Sequence, residues 1–232
     1  KQLMLIIDGK SCYNKNGDFI ENAKIYDYLF RKQAYPFSNR PYYFLVIKMV
    51  DPSQEQEVVN FLEELWPKTY FLKLKQELIV FYFEEYDFKN VMVSMSDDFS
   101  WSFSCFQSGK MNPDYPEYFH ILLDTLHLQF QNRSYFYLDI VDLIMHLVKT
   151  NRSLLRPLVP IILNRVYKDS QYERIIKAMF EHDLNVTKAA QSVYMHRNTM
   201  INKLEFIKTE TGLNIQHFKP AFCMYWLLDA QK

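Results

Sequence analysis

The feature that most constrains the fold is a change of hydrophobic period near Asn132. Between Tyr42 and Phe106, short β-branched and aromatic runs alternate with amphipathic stretches; after Asn132, apolar residues recur only at helical spacing. Such a chain has to build two kinds of core, one on a sheet and one between helices, and 232 residues suffice for both.

Tyr42–Val50 reads as a strand closed by Asp51-Pro52, after which Ser53 is expected to cap a helix presenting Val58, Phe61, Leu62 and Leu65 on one face. Thr69–Leu74 and Leu78–Phe83 read as a hairpin joined through Lys75-Gln76-Glu77. Lys89–Met95 is expected to be a short helix, Trp101–Phe106 a strand, and Pro113–Gln131 a helix with Phe119, Leu122, Leu123, Leu126 and Phe130 inward. Upstream, Leu3–Ile7 reads as a short strand, Asn14–Gly17 as a turn and Glu21–Lys32 as a helix.

Downstream, Tyr137–Lys149 and Leu154–Val166 read as helices, the second shortened or kinked by Pro157 and Pro160. Gln171–His182, Val186–Val193, Arg197–Thr211 and roughly Phe218–Ala230 follow, with Gly212 as a left-handed stop. The expected class is α+β: a small α/β sandwich followed by an all-α helix-turn-helix domain. The expected division is 1–40 as a linker or the end of a truncated domain, 41–131 as the α/β domain, 132–168 as a helical connector and 169–232 as the helix-turn-helix domain. Because Lys1 is no initiator and no signal peptide follows it, the expectation is a cytoplasmic fragment of something longer.

Composition removes several classes of function. With 27 basic and 27 acidic side chains there is no basic coat, so any nucleic-acid surface must be a local patch. Four scattered glycines (Gly9, Gly17, Gly109, Gly212) cannot form a phosphate-cradling loop. Cys12, Cys105 and Cys223 have no paired spacing, which suits a reducing compartment and gives neither a disulfide framework nor a zinc cluster. The apolar runs fall far short of the ~20 residues of a membrane helix. No cofactor or metal is expected: His120 and His127 share a helix face without a completing ligand and read as core or surface residues, and Glu84-Glu85 and Asp97-Asp98 read as solvated turns. The aromatics around Tyr42–Phe44 and Tyr70–Phe83 suit a sheet core and interface, or an apolar pocket for an unidentified small-molecule effector.

The informative segment is Asn185 to Ile207. Asn185 is a good N-cap, Ala189-Ala190 permits close helix contact, and Tyr194-Met195-His196 has the length of a helix-turn-helix corner. On the second helix Met200, Leu204 and Ile207 share the buried face. Asn198 and Asn202 project opposite, with Arg197 and Thr199 at the helix start, where such groups can read base edges in a major groove. His196 is either a turn residue or a base or phosphate contact. Lys188, Arg197, Lys203 and Lys208 against Glu205 alone make a modest phosphate-facing patch.

The run Ala189-Ala190-x-x-Val193-x-Met195-His196-Arg197-Asn198-Thr199-Met200-x-x-Lys203-Leu204, followed by Thr211-Gly212, resembles the C-terminal helix-turn-helix of the PucR/CdaR regulators and, more distantly, that of Fis-type proteins. It departs from the family pattern at Val193 and Met195, and has Lys203 where arginine is usual. The resemblance implies a bacterial, cytoplasmic, DNA-binding transcriptional regulator without catalytic activity, often with a degenerate GGDEF-like α/β domain upstream. By position, Arg197 and Thr199 would touch bases or phosphate beside Asn198 and Asn202, and Thr187 and Lys188 would meet the backbone. The partners expected are a double-stranded operator, taken as an inverted repeat, and a second copy of the chain. The alternative is an adaptor whose helical C-terminus binds a protein. A cyclase of the GGDEF lineage would need a Gly-Gly-Asp/Glu-Glu-Phe turn where this chain has Lys75-Gln76-Glu77.

Overall fold

The computed structural model describes residues 5–7, 10–12, 19–86, 88–130 and 135–231, the first two segments as backbone only. The turn expected at Asn14–Gly17 lies outside them. The chain divides into two compact units, Lys1–Asp139 and Ile140–Lys232. No helix among the described residues is long and apolar enough to cross a membrane.

The first unit contains β1 (Leu5–Ile7), β2 (Lys10–Cys12), α1 (Phe19–Arg31), β3 (Tyr43–Met49), α2 (Glu55–Leu65), β4 (Tyr70–Leu74), β5 (Glu77–Tyr82), α3 (Phe88–Phe99), β6 (Phe103–Gln107), α4 (Glu117–Phe130) and β7 (Tyr137–Leu138). The sheet order is β1-β2-β4-β5-β3-β6-β7. Every pairing is antiparallel except β6 with β7. Within it, β3-α2-β4-β5-α3-β6 in the order β4-β5-β3-β6 is the split βαβ arrangement, in which β3 becomes a central strand. The succession read from Tyr42 to Gln131 is therefore present.

Strands β3 to β6 bury residues on both faces because helices cover both. On one, Leu45, Ile47, Val80 and Cys105 join Val58, Val59 and Leu62 of α2 and Phe88, Met92 and Met95 of α3. On the other, Phe44 and Phe81 meet Phe119 of α4 at ring separations of 4.9 and 6.0 Å, and Tyr42 meets Tyr28 of α1 at 6.4 Å. The aromatic excess thus fills two half-cores. Buried Glu55, at the start of α2, forms an ion pair with Lys73 of β4.

Several local expectations need correction. Ser53 does not cap α2. Asp51 accepts hydrogen bonds from the Ser53 N–H (2.9 Å) and hydroxyl (2.7 Å), opening a short 3-10 turn over Pro52–Gln54 that leads into the helix. Leu65, expected inward, is 46% exposed. The helix expected at Lys89–Met95 extends to Phe99, so Asp97-Asp98 lie in it and not in a turn. Tyr137–Leu138 does not begin a helix but pairs parallel with Cys105-Phe106, because a free sheet edge satisfies its backbone.

At the β4–β5 hairpin, Lys75 takes φ 57° in a two-residue turn with no glycine. Beside it, His127 of α4 places Nε2 at 2.9 and 2.8 Å from the two carboxylate oxygens of Glu77. That hydrogen bond raises the histidine pKa above its ordinary value, against a smaller opposing effect of burial. The raised value means the pair stabilises the unit fully below the unfolded histidine pKa and is lost as pH rises through the folded one. Urea unfolding of the whole chain should therefore show a small loss of stability as pH rises from the ordinary histidine range, under ~1 kcal/mol for so exposed a pair, and His127→Gln should flatten that slope.

Candidate nucleic-acid interface

The second unit contains α5 (Ile140–Thr150), α6 (Leu155–Leu163), α7 (Ser170–Glu181), α8 (Val186–Ser192), α9 (Arg197–Thr211) and α10 (Phe218–Asp229). Short 3-10 turns flank α6 at Arg152–Leu154 and Asn164–Val166. α5 and α6 pack on α10, and α6 also meets α9, giving the helix-turn-helix a helical base. The Arg152 guanidinium lies 4.0 Å over the Trp226 ring of α10.

Local chemistry sets each helix of the corner. Asp169 caps α7 by accepting from the Gln171 and Tyr172 N–H groups. Asp183 and Leu184, both at positive φ, turn the chain, and Asn185 then caps α8 by accepting from the Thr187 and Lys188 N–H groups at 3.1 Å each. Ala189 and Ala190 are buried, and α8 packs on both α7 and α9. Tyr194, at φ 55° and 95% exposed, makes the corner, which closes as the Met195 N–H donates to the Ala190 carbonyl at 2.8 Å. The Arg174 guanidinium of α7 also donates to the Val193 carbonyl, at 3.4 Å.

α9 begins at His196, whose Nδ1 accepts from the Asn198 N–H at 3.3 Å. The cap needs Nδ1 unprotonated, so this histidine has a structural task in addition to any contact it makes outside the chain. Met200, Leu204 and Ile207 are buried, and Gly212 ends the helix at φ 72° with its N–H donating to the Lys208 carbonyl.

The expected site residues separate into two groups. Thr187, Lys188, His196, Arg197, Asn198, Thr199 and Asn202 are all exposed. Among the described residues, Lys188 and Arg197 have no ion pair, and apart from the His196 cap no side chain of the seven has a partner within the chain. Lys203 differs: it is half-buried, donates to the Gln171 side chain of α7 at 2.8 Å and lies 5.1 Å over the Tyr172 ring. It braces α9 on α7. Glu205, the lone acid of the segment, is 3.6 Å from Lys208. Thr187, Lys188 and the start of α9 leave a guanidinium, an ammonium, two amides and hydroxyls open to solvent, near the N–H-bearing ends of two helices. Sequence reasoning placed Tyr194 in the corner but missed its left-handed conformation, and missed Arg174 altogether. A spacing argument has no signal for either.

The corner carries measurable strain. Tyr194, 95% exposed, loses little packing on truncation, and glycine reaches its φ without a Cβ penalty, so Tyr194→Gly should raise the free energy of unfolding by up to about 1 kcal/mol, seen as a higher urea midpoint. Ala190→Leu should instead destabilise by about 1–3 kcal/mol, since the buried helix contact has no room for three more carbons. Both are read by equilibrium unfolding of the full chain.

Residues 173–230 match the family model described as the PucR C-terminal helix-turn-helix domain. No curated protein matches the sequence. Among solved structures, the chain is similar to a regulator of polyketide synthase expression from Bifidobacterium adolescentis, at 11% identity and TM-score 0.42, over 94% of each chain. The family match spans most of α7 and all of α8 to α10, including the caps at Asn185 and His196, the corner and the buried seam of α9. Over residues 173–230 the chain is thus similar to the helix-turn-helix domain that closes the PucR regulators, and it is on this similarity that it reads as a transcriptional regulator.

Proposed function

We propose that this chain is a sequence-specific DNA-binding transcriptional regulator of the PucR/CdaR type, acting in the bacterial cytoplasm as a homodimer on an inverted-repeat operator. The observation that supports this most is the unengaged exposed set Arg197, Asn198, Thr199 and Asn202, on a helix whose opposite face is buried. Arg197 pairs with guanine and the two asparagines with adenine, while Thr187, Lys188 and the α8 N-terminus take the phosphates. Lys203 acts through α7, holding the angle of α9. Dimerisation follows from size: one short recognition helix reads too few base pairs to be selective.

The first unit is read as a degenerate GGDEF-like domain without catalytic activity. Its Lys75-Gln76 turn stands where a cyclase of that lineage needs glycines and paired acids to hold nucleotide and metal. Its role is to respond to a small-molecule effector and to bias the helical unit.

Selection of bound duplexes from fragmented genomic DNA supplies the operator, and anisotropy titrations then test the roles. Arg197→Ala should lose about 1–3 kcal/mol of operator binding with the fold intact, and Lys188→Gln should weaken all sequences alike while reducing the salt slope by about 1. Equal operator affinity for Arg197→Ala and the parent overturns the base-reading role. Affinity that hardly responds to salt would instead favour an apolar protein partner.

A further inference from the structure

In the first unit, at the end of the sheet where α4 passes the β4–β5 hairpin, a cavity of about 580 Å³ opens between them. Its size is within the range of small-molecule sites. Its floor is one cross-strand row: Glu77 of β5, Lys48 of β3 and Ser104 of β6 are register neighbours. Earlier residues of β3 on the same face, Phe44 and Val46, are covered and buried. Lys48 continues their row in a central strand yet is exposed.

The Lys48 ammonium therefore stands solvated at the open side of the cavity, at the end of an otherwise apolar row. Its cross-strand neighbour Glu77 is already engaged, with both oxygens turned to His127. Among the described residues Lys48 has no ion pair or hydrogen bond. The remaining charged groups lining the cavity are Lys75 and Asp124, so the acids and lysines balance and a protonated His127 leaves one positive charge in excess. The walls are apolar and aromatic: Phe30 of α1, Leu123 and Phe130 of α4, and Tyr135, which is hydrogen-bonded to Ser104.

We propose that this cavity binds a small organic acid, with the carboxylate on the Lys48 ammonium beside Ser104 and an aryl or alkyl body between Phe30 and Phe130. The site gives the effector response proposed above a location and a ligand class, and rests on that reading only for its regulatory meaning. Lys48 supplies the selective contact: a neutral amide of the same shape leaves the ammonium unpaired and adds a donor facing it.

The test is calorimetric and ligand-observed NMR titration of the full chain, without DNA, using matched pairs: phenylacetate and phenylacetamide, indole-3-acetate and indole-3-acetamide, octanoate and octanamide. At least one acid should bind saturably, its amide about tenfold or more weakly, in keeping with a charge-assisted contact. Lys48→Met should lose about tenfold or more of that affinity and Lys48→Arg should retain most of it, while Lys68→Met, an exposed control, leaves it unchanged. Unchanged melting temperatures separate these effects from unfolding. Absence of saturable binding by all three acids, equal binding of acids and amides, or undiminished binding by Lys48→Met each overturns the proposal. Because DNA is left out, failure of the DNA-binding reading leaves these outcomes intact.

Discussion

Burial of Met200, Leu204 and Ile207 is the constraint on which the rest of the second unit depends. A helix with one face committed to a core has only one rotation about its axis, so burying this seam also decides that Asn198 and Asn202 face outward. The alanines of α8 make the constraint tight, since a larger residue would push α9 away and change both its distance and its angle. Recognition chemistry on α9 is therefore a consequence of packing three residues on its far side. Lys203 contributes to the same end from the flank, as its ammonium is spent on Gln171 and Tyr172 of α7.

The corner shows how much of such a site a sequence reveals. Asn185 as a cap, Arg197–Thr211 as a helix and Gly212 as its stop were all legible, because each rests on a local rule linking residue type to backbone conformation. The caps at His196 and Asp51 were not. An imidazole replaces the usual hydroxyl or carboxylate at one, and at the other a 3-10 turn inserted before α2 moves the cap two residues upstream of Ser53. The left-handed Tyr194 was illegible for a different reason: its conformation is imposed by the helices on either side, at an energetic cost that propensity does not predict.

In the first unit, the order of strands and helices from Tyr42 onward could be read, because alternation and helical spacing persist over several residues in each element. Beyond those strands only Leu3–Ile7, which contains β1, could be read, whereas β2 and β7 could not. β7 is two residues long and exists by pairing with β6, a contact distant in sequence, and its Tyr137 stands just before a strongly amphipathic helix that absorbs it into the wrong pattern. β2 is similarly short and joins the sheet by pairing with β4. Strands of this length carry too few residues to show a period, so their identity is a tertiary property.

The two units differ in how they treat polar groups, and that difference bears on function. In the first, Glu55 is matched with Lys73 and Glu77 with His127 at strand ends, whereas Lys48 of the central strand β3 keeps its ammonium solvated beside the cavity. In the second, the exposed face at the start of α9 leaves a whole group of donors and acceptors unmatched. Solvation makes that inexpensive, and rigid caps at both helix starts keep the group in one arrangement. A surface whose backbone is already fixed has only its side chains to order on meeting a partner of matching pattern. The regular edges of stacked base pairs are such a pattern, and a protein partner of comparable regularity is harder to supply.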